Sequence, residues 1–170
     1  MKYPVLGSVV IIIWVAVVFW PALSSKVLLF DDDEYLINNQ LVQNPGLKSA
    51  WRFFSKVLEP STVRGYYQPF SMLSLMCDYA LGGRPANLAV FRITSLLLHI
   101  INSLLVVIFL YMLFDNFPAA FAIGLLFAVH PLAVESIPWL AERKTLLAMF
   151  FAMLFLIVYI RYARKGGRRF

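Results

Sequence analysis

Charged positions divide the chain into four long apolar stretches, at about residues 4–25, 93–114, 117–134 and 145–162. Crossing a hydrocarbon core of about 30 Å takes about 20 residues of helix at about 1.5 Å each, so each stretch reads as a transmembrane helix. The first carries the β-branched run Val9, Val10, Ile11, Ile12, Ile13 and is too long for the apolar part of a signal peptide, so it reads as a retained anchor. Ala22-Leu23-Ser24 resembles a cleavage site only weakly, which leaves processing as the minority alternative. The second and third stretches are joined by a tight turn, Asp115-Asn116-Phe117-Pro118, and the fourth extends its reach through Arg161 and Tyr162 at the interface.

The long segment 26–92 has helical periodicity and folds on the membrane surface rather than serving as a linker. Leu47, Ala50, Trp51, Phe54, Val57 and Leu58 share one helical face; Lys48, Arg52, Ser55, Lys56 and Glu59 fill the other, as in a helix lying in the interface. Packing on other protein helices is the alternative. A further helix is marked by Pro69 at its start, the apolar run Phe70 to Leu81, and Gly82-Gly83 as its stop. No internal repeat is evident.

Composition agrees with this pattern. Of 170 residues, 61% are hydrophobic and 14% charged, and the mean hydropathy is +0.77, which excludes an ordinary soluble domain. The fold class predicted is all-α: a polytopic membrane protein with about four transmembrane helices, a single membrane domain over 1–170, and a long external loop containing interfacial amphipathic helices. A net charge of +6 carries topology rather than nucleic-acid binding, because the tail 161–170 holds Arg161, Arg164, Lys165, Arg168 and Arg169 with no acidic residue. Both termini are therefore expected in the cytoplasm, with loops 26–92 and 135–144 on the other face, periplasmic if the membrane is a bacterial inner membrane. Cys77, the single cysteine, excludes an intramolecular disulfide.

Two groups of residues carry candidate chemistry. Asp31-Asp32-Asp33-Glu34 follows the first span, and four adjacent carboxylates raise one another's pKa values unless a cation or donor is near. One carboxylate there suits a general base and another suits orienting an acceptor or holding a divalent ion, although an acidic run at a helix end is also a common solvated terminus. The second group is His130-Pro131-Leu132-Ala133-Val134-Glu135, then Trp139, Glu142, Arg143 and Lys144. Pro131 and Pro138 break the helix there, which opens a polar cavity to His130, Glu135 and Arg143; the bland alternative is a capped turn whose Arg143 and Lys144 touch lipid phosphates. The spacing is not that of a His-Glu-x-x-His metalloprotease. His99 and Asn102, within the second span, fit an interhelical hydrogen-bond pair better than a polar path.

Three blocks together resemble a known family: Phe30-Asp31-Asp32-Asp33-Glu34-Tyr35 with Asn39, Val42 and Gly46-Leu47; Tyr67-Gln68-Pro69-Phe70-Ser71-Met72-Leu73-Ser74 with Asp78 to Gly83 and Leu97-Leu98-His99; and Leu126 to Ser136 with Trp139 to Lys144 and Leu146-Leu147. The chain resembles the N-terminal membrane module of bacterial tetratricopeptide-repeat membrane proteins, related to the eukaryotic transmembrane O-mannosyltransferases with such repeats, within the C-type glycosyltransferase superfold. The resemblance implies an inverting transfer of a sugar from a polyprenyl-phosphate carrier to a hydroxyl. It implies Asp31, Asp32 and Glu135 as catalytic residues, and His130, Arg143 and Lys144 as substrate or phosphate binders. A divalent metal on Asp31, Asp32 and Glu135 stays an open expectation. Gln68 stands where the family usually has Arg or His, and Arg92 and Ser95 stand where it usually has His and Asn. The family also continues through further spans and repeats, so the module is expected to act with missing spans or a membrane-protein partner. The alternative is a non-catalytic structural transmembrane subunit of a larger complex.

Overall fold

The computed structural model describes residues 2–24, 31–56 and 66–166, and these residues form an all-α membrane fold. Among the described residues three helices are long and apolar enough to cross a membrane: Val5–Ser24 within α1 (Lys2–Ser24), α5 (Ala89–Phe114), and Leu140–Gly166, most of which is α8 (Arg143–Gly166). Between α1 and α5 lie a single π-helical turn, Asp33–Ile37, and the helices α2 (Gln40–Gln43), α3 (Leu47–Ser55) and α4 (Pro69–Ala80). α6 (Phe117–Ala128), α7 (Ala133–Ser136) and a 3-10 turn, Leu140–Glu142, complete the chain up to α8.

Local signals place these boundaries. Pro69 occupies the first turn of α4, where its missing N–H costs nothing, and Gly82 at φ +102° ends it in a backbone conformation that side chains disfavour. Asp115 makes the left-handed turn after α5, and the Asn116 side chain then accepts the Ala119 N–H at 3.1 Å to cap α6. Asn39 caps α2 in the same way through the Val42 N–H.

α6 departs from the continuous span expected over 117–134. Its 12 residues reach only about 18 Å, short of the ~30 Å core. The chain leaves helical geometry at Val129 and turns at Pro131, which has no N–H to continue the ladder. The irregular segment 129–142 completes the return, because Arg143 donates to the Phe91 carbonyl at the start of α5. At the opposite end Arg164 donates to the Met112 carbonyl, so α5 and α8 run parallel. α1 runs against α5: Phe19 meets His99 edge-on at 5.3 Å, while Leu6 and Val10 share a groove with Tyr111. The start of α1 and the ends of α5 and α8 therefore share one end of the bundle, and the acidic block and the 139–143 segment share the other.

Two cores result. In the bundle, Ile11, Val15, Leu96, Ile100, Val107 and Ala128 pack together. Over its acidic end, Tyr35, Leu36, Phe53, Leu75, Phe91 and Leu140 form a second core that joins the surface layer to the spans. α6 reaches α5 closely because Gly124 has no side chain: a Cβ there would lie 2.2 Å from Val107 Cγ2. Gly124→Val is expected to lower stability by about 1–3 kcal/mol through overpacking, read as an earlier unfolding midpoint in detergent titration. An unchanged midpoint would show that α6 seats on α5 elsewhere.

α3 leaves most of the apolar face read in its sequence uncovered and is held to the protein by its other side. Phe53 and Ser49 are buried, whereas Leu47 and Trp51 are 91% and 72% exposed. Phe53, outside the predicted apolar face, is the buried residue that fastens α3 to the surface core, with the half-buried Ala50 packed against the same core. Val57, Leu58 and Glu59, placed on the same helix by the periodicity, lie outside the described residues.

Candidate functional site

The two loops predicted to carry chemistry meet. Asp32 is fully buried, and its Oδ1 accepts the Ala141 N–H at 3.3 Å, joining residues 109 positions apart. Its negative charge also acts on the buried Arg92 guanidinium of α5. Asp32 is thus enclosed between the start of α5 and the turn before α8, while its neighbours Asp31, Asp33 and Glu34 are exposed.

Tyr35 organises the patch around Asp31. Its hydroxyl accepts the Gln68 Nε2–H at 2.5 Å, and its ring lies in the surface core. Burial pushes the phenol above its ordinary value; the Gln68 hydrogen bond opposes the rise, and the charges of Asp31 and Glu142 add to it. Asp31, Tyr66 and Glu142 are thus the groups whose charges reach the Tyr35 hydroxyl. Lys144 belongs to the same patch, with Nζ 5.1 Å from the centre of the Tyr66 ring and 3.9 Å from Glu142 Oε1. Below Lys144 a groove of about 320 Å³ descends between α4 and α8, passing Gln68, Phe70, Leu147, Ala148 and Phe151.

Arg143 faces inward. Its side chain is fully buried and ion-paired with Asp78 at 2.9 Å, and it donates to Ser74 Oγ (2.6 Å), Ser95 Oγ (3.2 Å) and the Phe91 carbonyl (2.6 Å). Asp78 in turn accepts from Thr94 Oγ1 at 2.7 Å. Desolvation raises the Asp78 carboxyl, against the pull of Arg143 and Thr94. With its guanidinium donors spent on α4 and α5, Arg143 ties three helices together and sets the position of Lys144; Lys144 is the cation of the pair that faces outward.

His130 and Glu135 sit on the other arm of the second loop. Both are exposed, and His130 Nδ1 accepts the Leu132 N–H at 3.3 Å. His130 borders a cavity of about 360 Å³ beside His99, Asn102 and Ser136. Among the described residues no three His, Cys, Asp or Glu side chains are grouped to hold a metal ion, so Asp31, Asp32 and Glu135 do not form such a set. His99 and Asn102 each bond to a different neighbouring helix: Nε2–H of His99 donates to the Ala128 carbonyl at 2.8 Å, and Asn102 Nδ2 donates to the Leu146 carbonyl at 2.9 Å.

Sequence reasoning singled out Asp31, Asp32 and Lys144 but not Tyr35 as the residue around which they gather. The signal was its place one helical turn after Asp31, which puts the two on one face. Arg92 and Ser95 are each joined to a residue of the predicted site: Arg92 to Asp32 by charge, and Ser95 to Arg143 by a hydrogen bond.

Comparison with curated proteins finds distant but consistent similarity to one family. The chain is 31% identical over 143 residues to protein O-mannosyl-transferase TMTC1 of Mus musculus, covering 79% of this chain and 14% of that protein. It is 28% identical over 158 residues to protein O-mannosyl-transferase TMTC4 of Homo sapiens, covering 82% and 21%. With protein O-mannosyl-transferase Tmtc2 of Drosophila melanogaster it shares 31% over 112 residues, covering 66% and 12%. The chain thus spans between about an eighth and about a fifth of the length of these relatives. No family model and no solved structure matches it. The kinship is with the O-mannosyl-transferase membrane proteins as a group and singles out no member among them.

Proposed function

We propose that the chain is the acceptor-side membrane module of an inverting glycosyl transfer, in which a sugar passes from a polyprenyl-phosphate carrier to a hydroxyl. The observation that carries this reading is the docking of Asp32 on Ala141. It supports reading Glu142 and the exposed Asp31, whose charges both reach Tyr35, as one patch with Lys144, 3.9 Å from Glu142, at the head of a groove whose lower wall is apolar.

In this reading Asp31 takes the proton from the acceptor hydroxyl as its oxygen attacks the anomeric carbon. The bond from that carbon to the carrier phosphate breaks, and the leaving phosphate keeps the electron pair and is neutralised by Lys144. The prenyl chain lies along Phe70, Leu147 and Phe151. Asp32 is the inner carboxylate that holds the two loops together. Glu135 and His130 shape the outer rim of the second loop and contact the acceptor. Among the described residues a divalent metal would be held by fewer than three carboxylate or imidazole groups, with the donor phosphate adding to its shell.

Both termini are read as cytoplasmic and the patch as lying on the opposite face, a bacterial periplasm in the first instance, from the basic residues at the end of α8. Further spans or a membrane-protein partner complete the carrier pocket. A second reading, a non-catalytic subunit on the same scaffold, is favoured by Gln68, which is held by Tyr35 instead of offering a charge to the groove.

The reading is tested by photo-crosslinking the chain in lipid nanodiscs with a diazirine analogue of polyprenyl phosphate, against competition by the unlabelled phosphate or by neutral polyprenol. Competition by the phosphate is expected to be stronger, and Lys144→Gln is expected to weaken it about tenfold, the scale of a charge-assisted hydrogen bond. Equal competition by phosphate and alcohol would remove the phosphate site.

A further inference from the structure

We infer that α3 is a docking helix for the bilayer leaflet at the acidic end of the bundle and that it prefers anionic headgroups. Its two sides are assigned by burial: Ser49 and Phe53 point into the surface core, while Leu47 and Trp51, one turn apart, are left almost bare. Among the described residues nothing covers these two side chains. Lys48 and Arg52 are also exposed and lie one position further round the helix, so a basic stripe runs beside the apolar one. This is the arrangement of an interfacial helix, with apolar side chains entering the acyl boundary and cations staying among the phosphates.

The position of α3 selects the bilayer as its occupant. Phe54 of α3 packs edge-on against Phe70 at 5.4 Å, and Phe70 packs against Phe151 of α8 at 5.5 Å. Phe151 lies two turns into a membrane-crossing helix and is 48% exposed, as is appropriate for a lipid-facing ring, and Phe70 is 55% exposed beside it. The exposed aromatic surface is thus continuous from the span to α3. The Tyr67 hydroxyl donates to the Phe54 carbonyl at 3.1 Å, fixing the end of α3 to the segment that enters α4. A helix held beside the first turns of α8, with a tryptophan and two cations outward, is at the depth where aromatic anchors and headgroup phosphates meet.

The test uses the whole chain with Trp14, Trp20 and Trp139 replaced by Phe, so that Trp51 is the only indole. It is placed in phosphatidylcholine vesicles with or without phosphatidylglycerol. Trp51 is expected to be quenched by lipids brominated near the top of the acyl chain and shielded from aqueous iodide, more so when phosphatidylglycerol is present. Lys48→Gln and Arg52→Gln are each expected to shift the docked population about fivefold in the anionic vesicles, matching about 1 kcal/mol per surface cation, with little change in phosphatidylcholine. Both substitutions are on the exposed face, and an unchanged unfolding midpoint shows that the fold is intact. Free access of iodide to Trp51 in both vesicles overturns the proposal. So does shielding without bromine quenching, which would mean that protein covers the face. Docking that ignores headgroup charge overturns the anionic preference.

Discussion

Asp78→Ala is expected to lower the stability of the chain by about 3–5 kcal/mol, the cost of leaving a buried cation without its partner. Arg143 is fully buried, and Asp78 provides its counter-charge at 2.9 Å. Removing the carboxylate strands the guanidinium among Ser74, Ser95 and the Phe91 carbonyl, which solvate it but do not neutralise it. Thr94 also loses the shorter of its two hydrogen bonds and keeps the Val90 carbonyl at 3.2 Å. Removing both charges is a different matter: Asp78→Leu combined with Arg143→Met is expected to recover most of the loss, since apolar side chains of similar volume replace a buried pair at little net cost. Unfolding of the purified chain by denaturing detergent, followed by circular dichroism, measures both. A single-variant loss below about 1 kcal/mol would mean that Arg143 reaches water in the folded state. A double variant worse than the single would mean that the pair specifies the packing of α4 on α8 beyond its charge.

The same pair shows where sequence reading runs out. Apolar run lengths located α1, α5 and α8, because the length of an apolar run is set by the bilayer and not by neighbours. The bounds of α4 were legible for a local reason, proline at one end and a positive-φ glycine at the other. Which way Arg143 and Lys144 point was not legible. Adjacent helical residues differ by about 100° in direction, and only the position of Asp78, 65 residues away, decides which is buried. α3 shows the same effect, since periodicity gave an amphipathic helix but two apolar faces competed and Phe53 took the protein side. The short reach of α6 was masked by its apolar sequence; Pro131 was visible, but not that the irregular segment after it would cover the remaining distance. Of the candidate site, the meeting of the acidic block with the second loop was an expectation from topology, and the enclosure of Asp32 was not, because run-on carboxylates carry no mark of which one folds inward.

That enclosure separates two neighbouring carboxylates in a way that substitution can read. Asp31 is exposed and its charge reaches Tyr35; Asp32 is buried, accepts the Ala141 N–H and faces the charge of Arg92. A general base needs to reach the acceptor hydroxyl within about 2.6–3.2 Å, directly or through one water, and only the outward carboxylate has that access. Asp31→Asn, which keeps shape but removes the base, is expected to lower sugar transfer by about 10²–10⁴-fold with no change in unfolding midpoint. Asp32→Asn is expected to do the reverse in kind: about 1–3 kcal/mol of lost stability, because the amide satisfies Ala141 N–H but leaves Arg92 with less compensation. Its activity should recover at lower temperature, where the loops stay docked. The measurement is transfer of a radiolabelled sugar from a polyprenyl phosphate to a hydroxyl acceptor, in membranes that also supply the completing spans or partner. Parental transfer by Asp31→Asn would remove Asp31 as the base and leave the chain a scaffold. Loss of transfer by Asp32→Asn at parental stability would instead make the buried carboxylate the reacting group, requiring the 139–143 segment to open before the acceptor enters.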